Sequence, residues 1–166
     1  MDDDRSKPAL DANERTMLTG FLDYQRATVL RKVEGLSEED LRRPMVPSGV
    51  TPLGMVKHLA QVERWWFRMC FAGEDVAPLW TEEDEDADWK AGPDETTEEI
   101  LGLYLAECDL SRAITDAAPT LEERARRARF EGYTLRWILV HMIEETARHN
   151  GHADIIRELI DGTTGE

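Results

Sequence analysis

The stretch TLRWILVHMIEETARHNGHADIIRELI, residues 134–160, reads as one amphipathic helix and sets an all-α expectation for the chain. Within it His141, Glu145, His149 and His152 stand at i, i+4, i+8 and i+11, which a helix of 3.6 residues per turn projects to nearly the same side. Three of the chain's four histidines therefore share a stripe with a carboxylate. The fourth, His58, lies in a second apolar segment, VKHLAQVERWW, residues 56–66, able to meet that stripe across a helical core.

Working outward, the same signals mark four long helices. Asp11 with Glu14 offers a capping-box-like start, and Leu18, Phe21, Leu22, Val29, Leu30 and Val33 then keep helical spacing until Gly35. Residues 36–50, LSEEDLRRPMVPSGV, carry two prolines and a glycine, so this segment is expected to wrap over an end of the bundle without regular helix. Thr51 and Pro52 form an N-cap and first-turn pair opening a helix towards Gly73, with His58 in its first half. After an acidic loop, residues 81–95, Thr96 with Glu99 caps a third helix ending before Pro119. The fourth begins after Gly132 and stops at Gly162. Residues 120–133, TLEERARRARFEGY, fit either a short helix or an extended connection, and no alternation proposes a sheet. The expected architecture is an antiparallel four-helix bundle, one domain over residues 1–166.

Charge narrows the function classes. Asp and Glu number 35 against 20 Lys and Arg, and the net charge of -15 repels nucleic-acid phosphates and anionic lipid surfaces. Neither nucleic acid nor membrane is expected as a partner. Cys70 and Cys108 lack CxxC spacing and read as reduced core residues. The start, MDDDRSKP, is acidic without an apolar core, and no apolar run approaches the ~20 residues that span a bilayer, so a cytoplasmic location is expected.

Spacing then limits the candidate metal set. His141 and His152 lie ~16 Å apart along the helix axis and cannot both bind one ion, whereas residues four apart have Cβ atoms ~5–6 Å from each other. The best-placed pair is Glu145 with His149. Adding His58 gives two imidazoles and a carboxylate, with positions left for water or substrate, an arrangement catalytic in type. A histidine on an apolar helical face is often a hydrogen-bonded core residue instead, and spacing alone leaves both readings of His58 open.

Residues 22–67, from LDYQRATVL to VERWWF, and residues 141–159, HMIEETARHNGHADIIREL, resemble the DinB/YfiT-like superfamily, in its actinobacterial branch related to mycothiol-dependent maleylpyruvate isomerase. The resemblance covers most of the chain. It implies a four-helix bundle whose divalent metal is held by a histidine on the second helix and two ligands four residues apart on the last. The common version has three histidines; the isomerase has Glu-x-x-x-His at the last two positions, the pattern carried here by His58, Glu145 and His149. The chain departs from the common HxxxHRGQ ending, with Asn150 and His152 in place of the arginine and glutamine.

Other features have competing readings. His141, among Val140, Met142 and Ile143, reads as a packed or interfacial imidazole, while His152, one turn from His149, is the candidate catalytic residue, placed to contact substrate or a metal-bound water. Asp84, Asp86, Asp88 and Glu95 match the first, third, fifth and twelfth positions of a calcium loop, but Trp89 occupies the sixth, where glycine is needed, which favours a solvated acidic loop. Of the consecutive Trp65 and Trp66, one is expected to face the core and the other an edge or interface. Arg124, Arg126, Arg127 and Arg129 suit either the carboxylates of an anionic thiol cofactor or, the favoured reading, a charge-compensated surface.

Together these expectations describe a metalloenzyme acting on a small-molecule thiol or electrophilic substrate. Its ion, zinc or else nickel or another divalent metal, would activate a mycothiol-type thiol for transfer or isomerisation. A hydrolase using metal-bound water, and a non-catalytic stress-response bundle whose metal stabilises the fold or a homodimer, are the competing readings.

Overall fold

In the computed structural model, which describes residues 5–165, each long helix begins where a side chain can satisfy its first N–H groups. Helix α1, Glu14–Val33, is capped by Asn13, whose side chain accepts from the Thr16 N–H at 3.0 Å. This corrects the expected cap at Asp11. Helix α2 is a single turn, Glu38–Leu41, capped by Ser37, so the wrapping segment after Gly35 holds helix before its prolines end it. Helix α3, Pro52–Glu63, opens on the Thr51 cap with proline in its first turn. Helix α4, Thr97–Ala117, has the full Thr96–Glu99 capping box. Helix α5, Leu135–Asp161, runs from the Thr134 cap to Gly162, whose φ of 76° is the left-handed conformation that glycine adopts without a Cβ clash.

The segment after α3 differs from the expected α-helix towards Gly73. Residues Arg64–Phe71 continue the helix as a π-helix, with the Ala72 N–H reaching five residues back to the Phe67 carbonyl at 2.8 Å. Residues 120–133 form an extended connection with one 3₁₀ turn, Ala128–Phe130. The N–H groups of Arg126 and Arg127 bond to the carbonyls of Phe71 and Cys70, and those of Leu135 and Arg136 bond to Glu123 and Leu121. The connection thus satisfies polar groups at the end of one helix and the start of the next. The residues described here are helical apart from loops and an isolated bridge between Arg124 and Thr134. None of these helices is long and apolar enough to cross a membrane. The start of the acidic N-terminal run, residues 1–4, lies outside the described residues.

Helix α1 packs along α5, and α3 packs along α4 while also touching α1 and α5. The core has two apolar clusters. One gathers Val29, Leu53, Val56, Leu59, Ile100, Tyr104 and Ile156. The other gathers Leu22, Phe67, Phe71, Leu135, Ile138 and Met142. Each fully buried side chain of this size contributes ~1.5–3 kcal/mol.

A buried polar layer lies between the clusters in the order of residues along α1, α3 and α5. It holds Arg26 and Glu63, 4% and 1% exposed, joined by two hydrogen bonds of 2.8 and 2.7 Å, and on α5 Thr146, His149 and Asn150. The Asn150 amide donates to the carbonyl and side-chain oxygens of Gln25, which fixes α1 against α5 at this level. On α4, buried Glu107 accepts from Arg64 at 2.7 Å and Arg68 at 3.0 Å. Two apolar halves flanking a polar middle place ionisable groups where the helices meet.

Candidate metal centre

His58 of α3 and Glu145 and His149 of α5 come together in that middle, each offering a ligand atom, all within 4.8 Å of one another. The imidazoles of His58 and His149 lie edge to face, centroids 5.2 Å apart. Helical spacing makes the local part of this arrangement: Glu145 and His149 are one turn apart on the same face, with Oε1 and Nε2 3.1 Å apart. The other Glu145 oxygen accepts from Arg148 at 3.1 Å. Among the described residues no fourth His, Cys, Asp or Glu joins the three.

The geometry suits a divalent ion. Metal bonds to imidazole nitrogen and carboxylate oxygen are ~2.0–2.2 Å, so small side-chain rotations bring donors this close onto one ion. Burial pushes His149 below the ordinary imidazole range, helped by the nearby His58 and His152 and opposed by the Glu145 hydrogen bond. A neutral imidazole is the form that ligates. His149 Nδ1 is buried without a hydrogen-bond partner, a polar atom left unsatisfied in the protein alone.

His58 is held by residues that the sequence reading did not assign to the site. Its Nδ1 lies 2.7 Å from Oδ2 of Asp88, which is 4% exposed, leaving Nε2 as the ring nitrogen free to ligate. Trp89 stacks on the same imidazole, centroids 3.6 Å apart and planes 14° apart. The loop bearing both is clasped to α3 around His58. The Lys57 ammonium donates to the Lys90 carbonyl and to Glu95, each at 2.8 Å. At Gly54 a Cβ would run into the Trp89 carbonyl oxygen, so glycine there permits the close approach. The acidic loop is therefore only partly solvated, which corrects the reading for Asp88. Trp89, which disqualified the loop as a calcium site, was the one signal that part of it packs.

His141 and His152 sit apart from the three. His141 packs between Trp66 and Trp137, at centroid distances of 4.7 and 5.1 Å, as a packed imidazole should. His152 lies edge-on to His149 at 5.7 Å and lines the cleft beside it, exposed to solvent. In the π-helical turn Phe67 is fully buried, at 0% exposure, and the partly buried Trp66 packs against the second apolar cluster, the core-facing member expected of the tryptophan pair. Trp65 lines a cleft next to His58, and Trp66 joins the aromatic group around Trp137. The arginine run lies on the surface, with Arg124, Arg126, Arg127 and Arg129 all exposed. Arg124 donates to the Glu131 carbonyl and Arg129 lies over the Phe130 ring, and among the described residues no carboxylate pairs with any of the four.

A family model for mycothiol-S-transferase matches residues 17–162, a span containing α1 through α5 apart from the first turn of α1. The chain belongs to that family. The family is DinB-like and related to mycothiol-dependent enzymes, as the two sequence stretches implied. No curated protein matches the chain. Membership makes a mycothiol-related transferase the supported class of function and a small thiol the supported class of substrate.

Proposed function

We propose that this single-domain protein is a metal-dependent S-transferase, its four long helices forming the antiparallel bundle of the DinB type, with His58, Glu145 and His149 holding one divalent ion, zinc in our reading. The observation that carries the proposal is the convergence of these three ligand atoms within 4.8 Å in a chain of the mycothiol-S-transferase family. An ion there lowers the pKa of a thiol, ~8.5 when free, so that thiolate is present at neutral pH.

The surrounding residues have separable tasks. Asp88 accepts a hydrogen bond from the His58 Nδ1–H and so presents Nε2 inward, and Trp89 fixes the ring plane. Glu145 contributes negative charge that offsets an ion's positive charge while Arg148 orients its second oxygen. His152, at the mouth of the cleft beside His149, can take or return a proton at an imidazole nitrogen. The protein's own cysteines are poor nucleophiles: burial pushes Cys70 to about 11 and Cys108 to about 12, so the reacting sulfur comes from the substrate.

The test is metal analysis of protein purified without chelator, then calorimetric titration with mycothiol, bacillithiol and glutathione. Selective, metal-dependent binding of mycothiol with proton release, read in buffers of different ionisation enthalpy, is expected. Alanine at His58, Glu145 or His149 should abolish stoichiometric metal. Unchanged metal content in all three variants would remove the site. Turnover of esters or amides without thiol would instead establish the hydrolase.

A further inference from the structure

The bundle leaves the outward face of α5 bare. Of the seven large apolar side chains that stand exposed among the described residues, Trp137, Val140, Ile155 and Leu159 are on this helix, 45–58% exposed. Apolar surface gathered on one face in this way marks a contact surface. At 3.6 residues per turn Trp137, Glu144, Arg148 and Ile155 project within ~40° of one another, and His141 and Gly151 fill the same stripe. The six residues recur at alternating spacings of four and three, the a and d positions of a helix that pairs with another helix.

This stripe complements itself when reversed. Read inward from its two ends, apolar Trp137 answers apolar Ile155, His141 answers Gly151, and Glu144 answers Arg148. We propose that two copies of this chain associate across a two-fold axis, α5 antiparallel to α5, with Trp137 on Ile155, His141 over Gly151 and Glu144 against Arg148. A two-fold contact repeats each pair, so one stripe supplies both halves of it. Within the chain Glu144 and Arg148 already form an ion pair, both side chains about half exposed. Across the axis the two pairs close into a ring of alternating charge. Trp137 is held in place beforehand, stacked on His141 with planes 15° apart and edge-on to Tyr133 at 4.5 Å, so docking it costs little side-chain entropy. The contacts within the chain do not require Gly151: a Cβ there would meet nothing within 4 Å, yet glycine weakens a helix relative to alanine. Opposite the His141 imidazole, the absence of a side chain lets two helix backbones approach.

The net charge of -15 on each copy opposes association at long range. Salt at cellular strength screens that repulsion beyond ~8 Å, which leaves the stripe, with one carboxylate and one guanidinium, to decide. Pairing also sets the partner's Trp137 on Ile155 at the rim of the cleft that His149 and His152 line, so each site is walled in part by the other copy. The dimer does not depend on the transferase reading.

Sedimentation of the full chain, purified without chelator, over the micromolar range tests this, and a mass of two chains is expected. Glu144→Arg and Arg148→Glu change half-exposed side chains, and each should weaken self-association about tenfold or more, because like charges then face each other. Mixed in equal amounts, the two variants should form a heterodimer with affinity within about threefold of wild type, since every facing pair is again opposite in sign. That recovery also shows that both variants are folded. Gly151→Leu, for which the single chain has room, should abolish the dimer with helix content retained. A wild-type chain that stays monomeric over this range overturns the proposal, and so does a dimer indifferent to Gly151→Leu. Charge variants that weaken association without recovering on mixing overturn the antiparallel register.

Discussion

At the residue scale, the chemistry depends on groups that would be costly to bury alone. Arg26 and Glu63 illustrate this most clearly, since each is almost fully enclosed and each makes good the other's desolvation through a bidentate pair. Removing one partner leaves an uncompensated charge between the two apolar clusters. Glu63→Ala should therefore lower unfolding free energy by about 3–5 kcal/mol, measured by urea denaturation, while the double variant Arg26→Met/Glu63→Leu should lose much less. An Ala variant as stable as wild type would mean that water reaches the pair. Asp88 poses the same question for the proposed ion. Asp88→Asn keeps the volume but gives His58 Nδ1 a weaker acceptor, and zinc affinity read by competition with a chromophoric chelator should fall ~10–100-fold. If affinity is unchanged, Asp88 buttresses the loop and does not tune the ligand.

At the element scale, the decisive piece is the loop between the π-helical segment and α4, which carries Asp88 and Trp89 to the face of α3. Glu95 is one of its fastenings. Burial pushes the Glu95 carboxyl up, but the hydrogen bonds from Lys57 and the Gly92 N–H outweigh this and hold it below the ordinary 4.5. A depressed carboxylate stabilises the folded state fully above the unfolded value, and that contribution is lost as pH falls through the folded value. Loop attachment should therefore weaken only below about pH 4.5, seen as a shift in tryptophan emission with helix content retained. Glu95→Gln should remove that acid-dependent step. A step that persists in the variant would assign it to another carboxylate.

The long helices were legible because their caps and apolar spacing are local: Thr51, Thr96, Thr134 and Gly162 act where the sequence places them. The pair Glu145 and His149 was legible for the same reason, one turn apart on one helix. Asp88 was not, because its partner lies 30 residues away and nothing in a run of acidic residues says which one turns inward. The π-helical register at Trp65 and Trp66 was hidden too, since it rests on contacts made by α4 and by residues 120–133 and not on propensity.

At the scale of the whole molecule, the proposed ion would tie α3 to α5 between the two apolar clusters, so binding and stability should be linked. A ligand that binds only the folded chain stabilises it by RT ln(1 + [L]/Kd), about 2.7 kcal/mol at a hundredfold excess over Kd. For a chain of this size that corresponds to a rise in Tm of roughly 5–10 °C. Calorimetry with and without chelator should show this shift in wild type and lose it in His58→Ala, whose metal-free Tm should itself lie below that of the metal-free wild type, because the substitution strips buried Asp88 of its partner and Trp89 of its stacked ring. Glu145→Ala and His149→Ala should behave alike if the ion is shared. A chelator-insensitive Tm at stoichiometric metal would place the ion away from the junction of these two helices, because an ion bridging them cannot leave without loosening their packing.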